Sequence, residues 1–256
     1  MSEKRVKYTE MQKAILYNQT NGICPRCQNL LYYRKDGKLY KSYEIAHIYP
    51  LNPTKHEEKI LENEEKLFQN DRNELDNLIA LCPSCHRYFD NPTTIESYKY
   101  LLNLKKRLLN QQSVYKLYSS ENIEEELLSV INAMIDGLNE DLEELNYNLI
   151  KVDEKISSEN KILSRKVKND VTNYYIFIKK AFAEIDKTNL GVFNIIAGQI
   201  KMFYLKLKKV TNNQNDIYEY ISQWLFEKFK IGNLESYRII VSFFIQNCEV
   251  FENVTK

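Results

Sequence analysis

Four of the five cysteines fall into two Cys-x-x-Cys pairs, Cys24/Cys27 and Cys82/Cys85, with Cys248 standing apart. Each knuckle presents two sulfurs on one face of a tight turn, and two knuckles complete a tetrahedral Zn²⁺ site with bonds of about 2.3 Å. A closed four-sulfur site has no position left for a substrate, so its expected role is structural: it pins together a region poor in apolar residues. Reactive groups must therefore come from beside it. His47 follows an apolar strand, Asn77 opens the strand that runs into the second knuckle, and His86 comes directly after Cys85. Asp90 lies four residues beyond His86, so on a helix the two share one face. His56, inside the polar run Lys-His-Glu-Glu, reads as a surface residue.

These groups need a small set of elements to hold them. Leu30–Tyr33 and Lys38–Tyr40 flank Asp36-Gly37, a strong hairpin-turn signal. Tyr43–Ala46 reads as a strand ending at His47, and Ile79–Leu81 as a short strand entering the second knuckle. A helix begins near Arg87 and is interrupted by Asn91-Pro92; a longer one starts at Thr93/Thr94 and is expected to reach about Leu109. Between the strands, Glu57, Glu58, Glu62, Glu64, Glu65, Asp71, Glu74 and Asp76 form an acidic segment, expected to be helical and mobile. It is either a solvated face or a flap over a phosphate-binding surface.

All 5 prolines lie before residue 93, and the remainder reads as helices. From Ser119-Ser120 onward, Leu128, Ile131, Ile135, Leu138, Leu142, Leu145, Leu149, Val152 and Ile156 recur in steps of three and four. This seam predicts a long coiled-coil-like helix, paired within the chain or with another chain. Four further amphipathic helices are expected over Val171–Ile185, Val192–Val210, Ile217–Phe229 and Leu234–Val250. The expected domains are 1–118, 119–168 and 169–256, and the fold class is α+β. With 36 basic and 35 acidic residues the whole chain is nearly neutral, which excludes a strongly basic DNA-coating protein. The charge is unevenly spread: residues 1–118 carry 19 basic and 14 acidic side chains, residues 119–256 carry 17 and 21. No apolar run approaches the roughly 20 residues of a membrane span. The start, Met1 to Lys7, is charged and lacks a following apolar segment, so a cytoplasmic protein without a signal peptide is expected.

Three ordered motifs, Glu44-Ile45-Ala46-His47-Ile48-Tyr49-Pro50, Asp76-Asn77-Leu78-Ile79-Ala80-Leu81-Cys82-Pro83-Ser84-Cys85-His86 and Arg87-Tyr88-Phe89-Asp90, together with both knuckles, resemble the HNH endonucleases of the ββα-metal superfamily. The resemblance covers about residues 20–110. It implies a small zinc-stabilised ββα-metal domain that hydrolyses phosphodiester bonds in DNA, with His47, Asn77 and His86 as the catalytic set. His47, whose type titrates near neutrality, would take a proton from water. Asn77 would hold the His47 loop, and His86 with Asp90 would bind the catalytic cation. A His/carboxylate pair suits Mg²⁺ or Mn²⁺. Arg87, Lys105, Lys106 and Arg107 are the expected phosphate contacts.

One position departs from the pattern. Many relatives carry a metal-binding residue just before the base histidine, where this chain has Ala46. Asp90 is the expected replacement, Glu44 the less favoured one because strand alternation sets it opposite His47. His86 also remains open as an alternate zinc ligand.

The layout further resembles the effector nucleases of ABC-three-component (Lamassu-like) antiphage systems, on Tyr174–Ile185, Ile195–Tyr204 and the Trp224 helix. That implies an SMC-like ATPase and a small middle component as partners, or self-association through the C-terminal helices, and no membrane. The competing reading is a non-catalytic zinc-knuckle adaptor with a vestigial site, of which Ala46 would be the first sign. A homing or restriction enzyme would need a DNA-reading helix or repeat, which the sequence does not display.

Overall fold

The computed structural model describes residues 6–90, 92–136, 143–146, 151–247 and 249–253. The chain divides into two compact units, Met1–Gln112 and Ser113–Lys256. In the first, Thr9 and Gln12 cap each other's backbone N–H groups and start helix α1 (Glu10–Gln19). The hairpin β1 (Tyr32–Lys35) and β2 (Lys38–Lys41) turns through Asp36 and Gly37 at φ 50° and 73°, the left-handed pair that the Asp-Gly dipeptide supplies. Strands β3 (Glu44–His47) and β4 (Leu78–Leu81) pair antiparallel, with His47 opposite Leu78 and Glu44 opposite Leu81. β4 is buried along its whole length because α1 and α3 (Pro83–Phe89) both pack on it. Leu16, Leu31, Ile48, Leu61, Leu78 and Tyr98 centre this core.

Two expectations for this unit change. The acidic segment is helical only in α2 (Lys55–Ile60); the rest is turns and a 3₁₀ turn at Leu75–Asn77. Its carboxylates are spent locally instead. Glu74 accepts from the backbone N–H groups of Gln69, Asn70 and Asp71, and Glu64 and Glu65 pair with Lys99 and Lys106. Helix α4, running Ile95–Ser120, passes the expected end near Leu109, since nothing from Asn110 to Ser120 is a glycine or proline.

The second unit is helical: α5 (Leu127–Asp136), α6 (Val152–Lys155), α7 (Lys161–Thr188), α8 (Val192–Leu207), α9 (Gln214–Phe229) and α10 (Leu234–Gln246). Four helices are expected in the region of the last four, but α7 begins at Lys161, ahead of the expected Val171, and α10 ends at Gln246, short of the expected Val250. α10 packs on α7 and α9 and is buried nearly all round, while Phe203 stacks on Trp224 at 4.1 Å.

The long heptad helix expected over 119–168 is not formed. Residues 121–126, 143–146 and 156–160 are non-helical, and Leu138, Leu142 and Leu149 lie outside the described residues. Ile131, Leu145, Val152 and Ile156 are buried in the unit's own core. Steps of three and four report only that one side is apolar, and a globular core satisfies them as well as a partner helix does. Side-chain amides take up the backbone groups freed at the breaks. Gln199 exchanges hydrogen bonds with Glu124, Gln246 accepts from the Lys151 N–H at 2.9 Å, and Gln214 accepts from that of Ser157 at 2.9 Å. Among the described residues, no helix is long and apolar enough to cross a membrane.

Candidate active site and metal centre

The sulfurs of Cys24, Cys27, Cys82 and Cys85 lie within 4.8 Å of one another. Cys27 and Cys82 are 3.6 Å apart at sulfur, close to the roughly 3.8 Å separation that tetrahedral Zn–S bonds impose. Burial and the crowding of the other three sulfurs push the Cys85 thiol up to about 12. Against burial, backbone N–H groups of Cys82, Cys27 and Arg26 hold Cys24 down to about 7. Four such thiols do not ionise together unaided, and a divalent cation is what would make them do so. Arg26 donates to the Cys85 sulfur at 3.6 Å and lies 3.9 Å over the Tyr88 ring, so a cation from the first knuckle backs the second. Cys248 lies outside the described residues.

β3, β4 and α3 together form a ββα unit. His47, half-buried, ends β3, and His86 occupies the buried side of α3. Both line one cavity of about 540 Å³, with Asp90, Thr54, His56 and Glu57 among its other walls. His56 is exposed, as expected, but stands in this wall.

Asn77, 1 % exposed, lies behind the loop that follows His47. Its Oδ1 accepts from the Tyr49 N–H at 2.8 Å, and its Nδ2 donates to the carbonyls of Tyr49 at 3.1 Å and Arg72 at 2.8 Å. Its own carbonyl accepts from the Ile48 N–H at 2.8 Å. The amide thus clamps the two residues after His47.

The imidazole of His47 meets two groups that the sequence reading missed. Nε2 is 3.3 Å from Asn73 Oδ1 and 3.3 Å from Tyr8 Oη, and the Tyr8 hydroxyl donates to the same Asn73 oxygen at 3.4 Å. Asp71 accepts from both the Asn73 N–H at 2.8 Å and its Nδ2 at 3.1 Å, which turns Oδ1 toward the ring. A carbonyl oxygen only accepts, so in its contact with Asn73 the Nε2 of His47 is the donor. The acidic segment that contains Asp71 reads as helical in the sequence, and nothing in the spacing of Asp71-Arg72-Asn73, or of Tyr8, ties them to His47.

His86 Nδ1 faces two carboxylates, Asp90 at 2.9 Å and Glu44 at 3.3 Å, each about half exposed. The i,i+4 pairing with Asp90 is the one the spacing gave. Glu44, ranked lower because alternation sets it opposite His47, reaches His86 from the neighbouring strand. Nε2 of His86 is buried without a hydrogen-bond partner. Two anions converging on one ring nitrogen leave surplus negative charge, and an imidazole with two carboxylates is the kind of donor set a hard divalent cation takes. Among the described residues, only the four cysteines form a larger group whose ligand atoms all lie within 4.8 Å of one another. Ala46, 1 % exposed, packs in the core.

The expected phosphate contacts separate. Arg87 and Arg107 are exposed, and Lys106 pairs with Glu65. Lys105 is fully buried and cannot touch a phosphate: it falls on the inward stripe of α4 with Tyr98, Leu101 and Leu108, and donates to Gln19 Oε1 at 2.7 Å. Burial lowers its pKa from 10.5 to about 8, with Asp76 opposing. Below pH 8 both folded and unfolded states hold the proton and the cost is fully present. Between about 8 and 10.5 the folded state releases it first, so stability rises with pH. We expect Lys105→Met to raise stability at pH 7 by roughly 1–2 kcal/mol, the lost Gln19 bond offsetting part of the gain. It should also remove the alkaline rise, as read by denaturant melts at pH 7 and 10.

Residues 23–94 match the family model described as HNH endonuclease. No curated protein matches the chain. Residues 111–251, more than half of the sequence, match the model described as C-terminal domain 11 of the ABC-three component (ABC-3C) systems. The partnership with other components of such a system, implied by that match, is joined in one polypeptide to a nuclease-type domain. The chain is a member of the ABC-three component C-terminal domain 11 family that carries an HNH endonuclease domain ahead of it.

Proposed function

We propose that this protein is a metal-dependent nuclease that hydrolyses phosphodiester bonds in DNA as the effector of an antiphage complex. In this reading its helical unit docks to an SMC-like ATPase and a small middle component. The observation that carries the proposal is that His47 and His86, with Asp90, open on one cavity inside the HNH-matching segment. His47, positioned by Asn73 and Tyr8, takes a proton from water, and the hydroxide left behind attacks phosphorus. Asn77 is a positioning residue, fixing the backbone after His47 so that the ring keeps its aim. His86, Asp90 and Glu44 would hold Mg²⁺ or Mn²⁺, which would offset the negative charge developing on the phosphoryl group and the departing 3′ oxygen. Arg87 and Arg107 contact flanking phosphates, and Zn²⁺ at the four cysteines keeps α3 and its His86 in place.

The test is conversion of supercoiled plasmid by the zinc-loaded full chain in Mg²⁺ or Mn²⁺, beside His86→Ala with its zinc content and melting temperature verified. Nicking or linearisation by the native chain, at least a hundredfold slower in the variant, is the expected result. Equal cleavage by both proteins would sink the assignment. So would an intact plasmid with the chain alone and with the other components of its system added, which is what a zinc adaptor would give.

A further inference from the structure

The hairpin β1–β2 buries neither of its faces: all eight strand residues are exposed. An isolated two-stranded hairpin gains little from its own pairing, and this one leaves three tyrosines and a leucine in solvent, Leu39 at 62 %. It carries Arg34, Lys35, Lys38 and Lys41 against the single carboxylate of Asp36. Among the described residues, none of the four cations meets a carboxylate at ion-pair distance.

The register sorts these groups. On one face Tyr33 lies opposite Tyr40, their rings stacked at 5.3 Å, and Lys35 lies opposite Lys38. Like charges directly opposite each other destabilise a strand pair. The tip of this hairpin therefore bears a repulsion that an anion placed between the two ammonium groups would remove. On the other face Arg34 and Lys41 alternate with Tyr32 and Leu39. Cations and aromatic rings interleaved on both faces of an exposed ribbon, whose Tyr32, Leu39, Tyr40 and Lys41 also line a cavity with α1, fit a polyanion that also offers flat or apolar surface.

We propose that the β1–β2 ribbon is a duplex-DNA-binding element, with Lys35 and Lys38 on backbone phosphates and the Tyr33/Tyr40 pair against the groove wall. This rests on the nuclease reading and extends it to how the substrate is held. The major groove, about 12 Å wide, admits a two-stranded ribbon. β2 also runs through only Ser42 and Tyr43 into β3, whose last residue is His47, so the ribbon is the chain's own extension of the strand that bears the proposed base.

The experiment is fluorescence anisotropy of a labelled 20-base-pair duplex with the full zinc-loaded chain in a His47→Ala background, across a salt series. Lys35→Ala/Lys38→Ala should weaken binding at least tenfold. It should also flatten the slope of log K against log salt by about 2, the loss of two phosphate contacts. Lys35→Arg/Lys38→Arg should retain both. Unchanged affinity and slope in the alanine pair overturns the proposal, as does absence of duplex binding, or displacement of the duplex by polyglutamate at equal charge, which would point to an acidic protein. The plasmid assay fails separately: a chain that binds through the ribbon yet never cuts loses the nuclease reading alone, and one that cuts while the alanine pair binds normally loses the ribbon alone.

Discussion

Alanine at His47 is expected to slow plasmid cleavage by 10²- to 10⁴-fold, the range over which a positioned general base acts, while duplex affinity, zinc content and melting temperature stay as they were. Stability should hold because His47 is half-buried at a strand end, outside the buried core that centres on Leu16, Leu31 and Leu78. Added imidazole should restore part of the rate, since the cavity it would re-enter is open to solvent. Asn73→Asp refines the test. A carboxylate beside the ring favours its protonated form, so the acid limb of the pH–rate profile should move to higher pH. Asn73→Ala should lower the rate without that displacement. A His47→Ala protein that cuts at the native rate removes His47 from the chemistry whatever the fate of the other residues.

Loss of the four-cysteine metal is expected to unfold the first unit. Structural zinc contributes on the order of 10 kcal/mol of apparent binding energy at neutral pH, comparable to the whole stability of a small domain. Cys82 and Cys85 sit at the end of β4 and the start of α3, so without the metal the helix bearing His86 loses its anchor. Calorimetry of the full chain should then show two transitions. Cys82→Ser, or prolonged chelation, abolishes the one belonging to residues 1–112 and preserves the one belonging to the helical unit, whose core contains none of the four cysteines. A single unchanged transition after verified metal removal would refute a structural role.

The parts that were legible in the sequence are those fixed by local chemistry. Asp-Gly demanded left-handed backbone and the turn lies there; Cys-x-x-Cys fixed the knuckles; the i,i+4 spacing of His86 and Asp90 survived into a 2.9 Å contact. What failed depended on what lay across from a residue. Lys105 reads as one of three clustered cations, although its spacing from Tyr98, Leu101 and Leu108 already sets it on the inward stripe of α4, where Gln19 of α1 receives its ammonium group. Glu44 points away from His47 by alternation, yet α3 brings His86 to it. The heptad seam said which side was apolar and nothing about how long the helix would run. Tyr8 and Asn73 carry no spacing signal, because they reach His47 across 39 and 26 residues of chain.

The Asn77 amide has a reach beyond the loop it clamps. It binds Tyr49 with one end and both Tyr49 and Arg72 with the other, so the excursion from residue 49 to 72 leaves and returns at a single side chain. That excursion supplies Pro50, Leu51, Thr54 and Glu57 to the cavity wall, whereas His47 and His86 stand on the strand and helix outside it. Lengthening a closed loop is inexpensive, about 0.6 kcal/mol for each doubling. Reactivity and selectivity are therefore carried by separable parts of this domain: the cavity wall from Pro50 to Thr54 can change in length and composition, provided Leu61 stays in the core and Asp71 behind Asn73, while the histidines opposite keep their place.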